Sequence, residues 1–212
     1  YLKDIGDWVL FEQLKYYGIS TYFNLDNKDH DHTMTCEIQN IKNLDNVPTY
    51  ISNEKRGFTH LQVNMNPTTL NIITIHLDVM DEQGFSRLHE IKEIYRYITF
   101  LHLNNVIIIG DFNEWDIQHN EPLYEPSLME FQERTGLEHF STQAHDFLKS
   151  HNFINIFDLL DKYPKFSCWS SKLVDFCYKY KPTWNEVLKI KNIDFVYIDY
   201  SDHLPIILDI ET

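Results

Sequence analysis

From Phe58 onward the apolar positions of the chain fall into an order that predicts its elements. Phe58 to Met65 and Leu70 to Val79 are rich in β-formers and are separated by Asn-Pro-Thr-Thr, a turn composition, so they predict two antiparallel strands joined as a hairpin. Leu88, Ile91, Tyr95, Ile98 and Leu101 then recur at helical spacing, which predicts a helix that opens with Ser86 as N-cap and stops at Asn104-Asn105. Val106 to Ile109 is wholly apolar, the pattern of a strand covered on both faces. Helices are expected near Leu128 to Thr135 and Thr142 to His151, β-rich runs around Leu173 to Tyr178 and Ile193 to Ile198, and a last strand at Pro205 to Ile210. Upstream the pattern is weaker: Leu2, Ile5, Trp8 or Val9, and Leu14 could line one helical face, Trp8 to Phe11 alone read as a short buried strand, and Asn27 to His32 read as a polar loop. Hairpins with helices on the outer faces, without regular βαβ alternation, predict an α/β fold, a two-sheet β-sandwich flanked by helices. No repeat or linker divides residues 1–212, so a single domain is expected.

Composition narrows the classes. Hydrophobic residues at 43% and aromatics at 15% exclude a disordered chain, and no apolar run approaches the roughly 18 residues of a transmembrane segment. A formal net charge of −14 repels phosphate backbones at long range, so a polyanionic substrate has to be met by bound metal and local groups. Cys36, Cys168 and Cys177 show neither CxxC nor zinc spacing and read as buried thiols, which favours a soluble, intracellular protein. The chain opens on Tyr1 with no basic and apolar leader; the missing Met places the expected native start upstream. Nothing in the pattern indicates a protein partner.

Three segments put polar residues where apolar strands end, the position from which a rigid scaffold presents reactive groups. They are Thr74-Ile75-His76-Leu77-Asp78, Gly110-Asp111-Phe112-Asn113 and Ser201-Asp202-His203-Leu204-Pro205. Asp111 and Asp202 are hard oxygen donors suited to Mg²⁺, which takes few carboxylates and keeps waters for a phosphate. His76 and His203 can hold or move protons near neutral pH. Singly, each segment is more often a half-buried histidine, a turn or a capped loop; their co-occurrence in this order is what points to chemistry.

TIHLD, IIIGDFN and SDHLP, in that order, resemble the signature segments of the endonuclease/exonuclease/phosphatase superfamily, the fold of pancreatic-type deoxyribonuclease, over roughly Phe58 to Ile210. The resemblance implies a four-layer, deoxyribonuclease-like sandwich with its site at one edge. It implies a Mg²⁺- or Mn²⁺-dependent hydrolase of phosphoester bonds, a nuclease or another phosphodiesterase, acting on nucleic acid, a phospholipid head group or a small phosphodiester. His203 would be the general base on water and Asp175 the carboxylate that orients it. Asp111 and Asn113 would orient nucleophile and phosphate, Asp111 and Asp202 would stand on the metal side, and His76 would hydrogen-bond the phosphate or protonate the leaving oxygen. Asp78 and Arg87 are weaker candidates; Asp78 shares a strand face with His76 by the period of two but is expected in a surface salt bridge.

The orienting aspartate has two contenders. Asn192-Ile193-Asp194-Phe195 lies too close to Asp202 for a strand, a turn and a return to the same edge, whereas Leu173-Val174-Asp175-Phe176 has room and follows Ser167-Cys168-Trp169, which resembles the family's Thr-x-Trp lead-in. Asp175 is therefore preferred, with Asp194 an ordinary polar position on a neighbouring strand. The chain departs from the family at its start, where a Gln-Glu strand should supply a metal ligand. Asp7 to Leu14 offers only Glu12 beside Gln13, in transposed order, so the expectation is either Glu12 or a glutamate upstream of Tyr1. The segments of inositol phosphatases and a basic, aromatic-laced stripe for duplex DNA are absent. The alternative from another class is a catalytically impaired domain serving as a binding or structural module.

Overall fold

In the computed structural model, which describes residues 35–37, 58–65, 67–79, 81–115, 124–168, 172–197 and 201–211, the predicted hairpin is β2 (Phe58–Asn64) against β3 (Thr69–His76). A short strand β1 (Thr35–Glu37) pairs with β2. The chain then passes through α1 (Phe85–Phe100) into β4 (Val106–Asp111), which lies parallel to β3. A parallel neighbour requires such a crossover, so β3-α1-β4 is one βαβ unit within an otherwise antiparallel sheet. After α2 (Tyr124–Thr135) and α3 (Gln143–Ser150) come β5 (Phe153–Asn155), α4 (Ile156–Leu160), β6 (Asp175–Tyr180), β7 (Lys189–Phe195) and β8 (Ile206–Glu211). The main sheet has the order β1-β2-β3-β4-β6-β5, and β7 and β8 form a second, two-stranded sheet. The chain is thus an α/β, two-sheet sandwich with helices packed against it.

The core explains the patterns. β4 is central, between β3 and β6, and Val106, Ile107 and Ile108 are fully buried, as a strand apolar on both faces requires. From α1, Ile91, Ile94 and Ile98 enter the same core, and from the second sheet Ile193, with Ile206, Leu208 and Ile210 at its margin. Each such isoleucine contributes about 1.5–3 kcal/mol through burial. Among the described residues no helix is long and apolar enough to cross a membrane.

Two local expectations change. The N-cap of α1 is Gly84, in the left-handed region at φ 81°, not Ser86. The capping is done from upstream by Asp81, whose carboxylate accepts from the Gly84 and Arg87 N–H groups at 2.9 and 3.0 Å. Gly84 is also pressed against the loop before α3: a Cβ there would lie 1.8 Å from Ser141 Oγ. Asp78, expected at the surface, is buried, and β3 ends at His76, two residues before it. Cys168 and Cys177 are buried, as expected, and burial pushes the Cys177 thiol far up. Glu12, the 1–20 segment and the 27–32 loop lie outside the described residues.

Candidate active site

β3 and β4 run parallel and end together; β6 runs the other way and begins at the same edge. The registers pair His76 with Asp111 and Asp111 with Asp175, so one residue from each of three adjacent strands stands in a single row across the sheet. Residues in register point to the same face of a sheet, and the row therefore converges without help from loop conformation. The ladder continues just beyond it through Leu77 N–H to Asp111 O at 2.9 Å and Phe112 N–H to Val174 O at 2.8 Å.

The fourth member, His203, arrives from the loop before β8. Cys168 and His203 form an isolated antiparallel bridge, and Leu204 N–H donates to Ser167 O at 2.8 Å. His203 Nδ1 donates to Asp175 Oδ2 at 2.8 Å, which leaves Nε2 to face Asp111 Oδ2 at 3.8 Å. His76 Nε2 approaches the same Asp111 oxygen from the other side at 3.5 Å. The carboxylates are the deep members and the imidazoles the open ones: the side chains of Asp111 and Asp175 are 10% and 9% exposed, those of His76 and His203 41% and 34%.

The hydrogen bond to Asp175 pushes the His203 imidazolium up to about 9, with the charges of Asp175, Asp111 and Asp202 adding to it and burial opposing it. Asp202 itself is exposed and stands outside the Asp111, Asp175 and His203 group, whose donor atoms all lie within 4.8 Å of one another. Those donors fit a divalent cation in kind. Asp111 offers a buried hard oxygen, whereas Asp175 already spends one of its oxygens on His203.

Asn113 follows Asp111 by two residues, directly beside the row. It sits in the left-handed region at φ 47°, its N–H donates to Asp111 Oδ1 at 2.7 Å, and its side-chain amide donates to Leu77 O at 2.9 Å. It therefore closes a turn on Asp111 and stitches the end of β4 to the end of β3. Asp194 falls on β7, in the second sheet, where Lys162 Nζ lies 3.2 Å from its carboxylate and draws its pKa down.

Glu114, which the sequence did not single out, organises the ground behind the row. Buried, it accepts from Ala144 and His145 N–H at 2.8 and 3.1 Å and from Ser141 Oγ at 2.8 Å, neutralising the N-terminal amides of α3. Arg87 Nε lies 3.6 Å from it, and Arg87 Nη1 donates to Asp78 O at 3.0 Å, so Arg87 ties the segment after β3 to the segment after β4. His145 is buried as well, its Nδ1 2.8 Å from Tyr178 Oη and its ring stacked on Phe112 at 5.1 Å. The only trace of this support in the sequence is an acidic residue directly after Gly-Asp-Phe-Asn.

No protein-family model matches the chain, and no curated protein does. Solved structures do. The endonuclease domain of TRAS1, a telomere-specific non-LTR retrotransposon, aligns over 87% of this chain and 69% of its own, with a TM-score of 0.51 at 12% identity. D. rerio TDP2 complexed with a single-strand DNA product covers 76% of this chain and 64% of its own, with a TM-score of 0.48 at 14% identity. The human nocturnin catalytic domain, with bound sulfate, covers 73% of this chain at a TM-score of 0.46 and 17% identity, and the match spans only 51% of the nocturnin domain. At these identities the likeness is one of fold, and the fold shared is that of the TRAS1 endonuclease domain.

Proposed function

We propose that the protein hydrolyses phosphoester bonds by water attack, with a divalent cation, Mg²⁺ or Mn²⁺, as cofactor. The observation that supports this most directly is the His203–Asp175 hydrogen bond at 2.8 Å, with the other ring nitrogen turned to the Asp111 carboxylate. In the neutral form of His203, Nδ1 keeps its proton on Asp175 and Nε2 is free to take one from water. A base is useful in that geometry because phosphoryl transfer leaves the protein mainly positioning and charge stabilisation to supply. Asp111, with Asp202 at the rim, would hold the cation, which would offset negative charge on the phosphoryl oxygens. His76, half-exposed beside Asp111, would donate to the phosphate or to the leaving oxygen. Asn113 holds Asp111 in place. The substrate is a phosphoester; nucleic acid, a phospholipid head group and a small phosphodiester all meet the chemistry of the row.

The full chain should cleave bis(p-nitrophenyl) phosphate in the presence of Mg²⁺ or Mn²⁺, lose that activity in EDTA and regain it on adding either ion back. Inertness toward aryl phosphodiesters, phosphomonoesters and single-stranded DNA with every divalent ion tried would overturn the proposal and leave a binding or structural module.

A further inference from the structure

We propose that Ser167 is a positioning residue, a clasp that fixes the distance and angle between Asp175 and His203; the proposal rests on reading that pair as the base and its orienter. Ser167 is fully buried and touches both sides of the pair. Its Oγ accepts from the Val174 and Asp175 N–H groups, each at 3.0 Å, and so holds the first residue of β6 by its backbone. Its main-chain carbonyl accepts from Leu204 N–H at 2.8 Å, and the next residue, Cys168, bridges to His203, so the same two residues hold the imidazole-bearing loop. The hydroxyl is itself steered by Lys172 O, 3.4 Å away, which also receives the Ser167 N–H at 2.8 Å.

The need for a side-chain acceptor follows from the sheet. β5 pairs with β6 only at residues 178–180, so its ladder does not reach the two amides at the start of β6. On the other flank the Val174 carbonyl is engaged by Phe112 N–H at 2.8 Å. A single buried oxygen that receives two consecutive amides replaces the missing strand, because buried N–H groups must find a partner. Ser167 thereby sets where the Asp175 carboxylate stands relative to His203 without approaching the substrate. A small misplacement of such a pair costs rate far more than affinity.

Three variants test the clasp: Ser167→Ala, which removes the acceptor, Ser167→Cys, which weakens it, and Ser167→Thr, which keeps it. Ser167→Ala should lower kcat by about 10- to 100-fold with KM within about threefold, and Ser167→Thr should restore kcat. Independently of any substrate, residue-resolved hydrogen exchange should quicken at the Val174 and Asp175 amides by about tenfold or more over the Tyr178 and Tyr180 amides of the same strand. If Ser167→Ala does not fold, Ser167→Cys should show the same local exchange at smaller amplitude. Exchange that is unchanged, or that rises equally along β6, overturns the clasp. Absence of hydrolysis in the wild type refutes the reading of the pair, a result distinct from failure of the exchange experiment.

Discussion

The two ends of strands β3, β4 and β6 are both lined with polar residues, and they use them in opposite ways. At the end away from the row, Asn105 Nδ2 donates to Thr68 Oγ1 and Thr69 O at 2.7 and 2.9 Å while its Oδ1 accepts from Asn185 N–H. Nearby, Asn71 Oδ1 meets His60 Nε2 at 2.9 Å and Gln62 Nε2 at 3.0 Å, and His60 Nδ1 meets Tyr97 Oη at 2.9 Å. Amides, hydroxyls and one imidazole satisfy one another there, and Asn71, Asn105 and His60 are buried. At the row end the groups are carboxylates and imidazoles that face each other across 3.5 and 3.8 Å with the imidazoles half-open. A closed network of buried polar groups fastens connections; an ionisable cluster left open on one side is fit to bind and to move protons. Burial of polar residues alone therefore does not mark the site. Their charge type and their open side do.

This contrast can be broken most sharply at His203. His203→Ala and Asp175→Asn should each lower phosphodiester turnover by about 10²-fold or more while the chain still folds, since general-base catalysis is typically of that size. Wild-type turnover in both variants would show that the open end is no more chemical than the closed one.

The pH dependence follows next in size. In the metal-free protein the His203 imidazolium titrates near 9, above its ordinary 6.5, because of the Asp175 hydrogen bond first and the surrounding carboxylates after it. Only the neutral ring can act as a base, so the rate should rise about tenfold per pH unit on the acid side of that pKa. A bound cation repels the proton and should move the limb toward neutrality. The same raised pKa stabilises the fold fully below about 6.5 and loses that contribution as pH rises through about 9. An NMR titration of His203 with and without Mg²⁺, and in Asp175→Asn, checks both; a value near 6.5 in the metal-free wild type would contradict the geometry.

The smallest effect on chemistry belongs to the closed end. Asn105→Ala strands the Asn185 N–H and the Thr69 carbonyl, and should cost about 2–4 kcal/mol of stability, a fall in Tm on the order of 10 °C, with turnover of the folded fraction within about twofold. Calorimetry and an assay below the new midpoint measure the two separately, and a large loss of turnover with little loss of stability would erase the distinction between the ends.

Much of the sandwich was legible because its elements carry strong periods. The β2–β3 hairpin, the helical spacing of Leu88, Ile91, Tyr95 and Ile98 on α1, of which Ile91 and Ile98 enter the core, and the apolar β4 all announce themselves locally. β5 and α4, of three and five residues, are too short to carry a period and went unread. Ser86 was a plausible cap by residue type, but the helix opens two residues earlier, and Asp81 reaches the Gly84 and Arg87 amides from a position that propensity does not register. In the site, loop length separated Asp175 from Asp194: the stretch after Asp194 is taken up by the β7–β8 pair, with Phe195 opposite Ile206. Glu114 and His145 were missed, and Ser167 was read only as part of a lead-in to Asp175, because a polar side chain buried by distant partners leaves no pattern in its own neighbourhood. Asp78, expected at the surface, is buried just past the end of β3, where no strand period reports on burial.

The row His76, Asp111 and Asp175 is written into hydrogen-bond register, and this governs how the gene can change. Adding or deleting one codon within Val106–Asp111 turns Asp111 to the opposite face of the sheet and dissolves the row at once. Connections outside the register can lengthen or shorten without resetting the pairing that aligns the three. Descendants of this chain are thus free to rebuild the walls that greet a substrate by insertion, while the centre of the sheet admits substitution only.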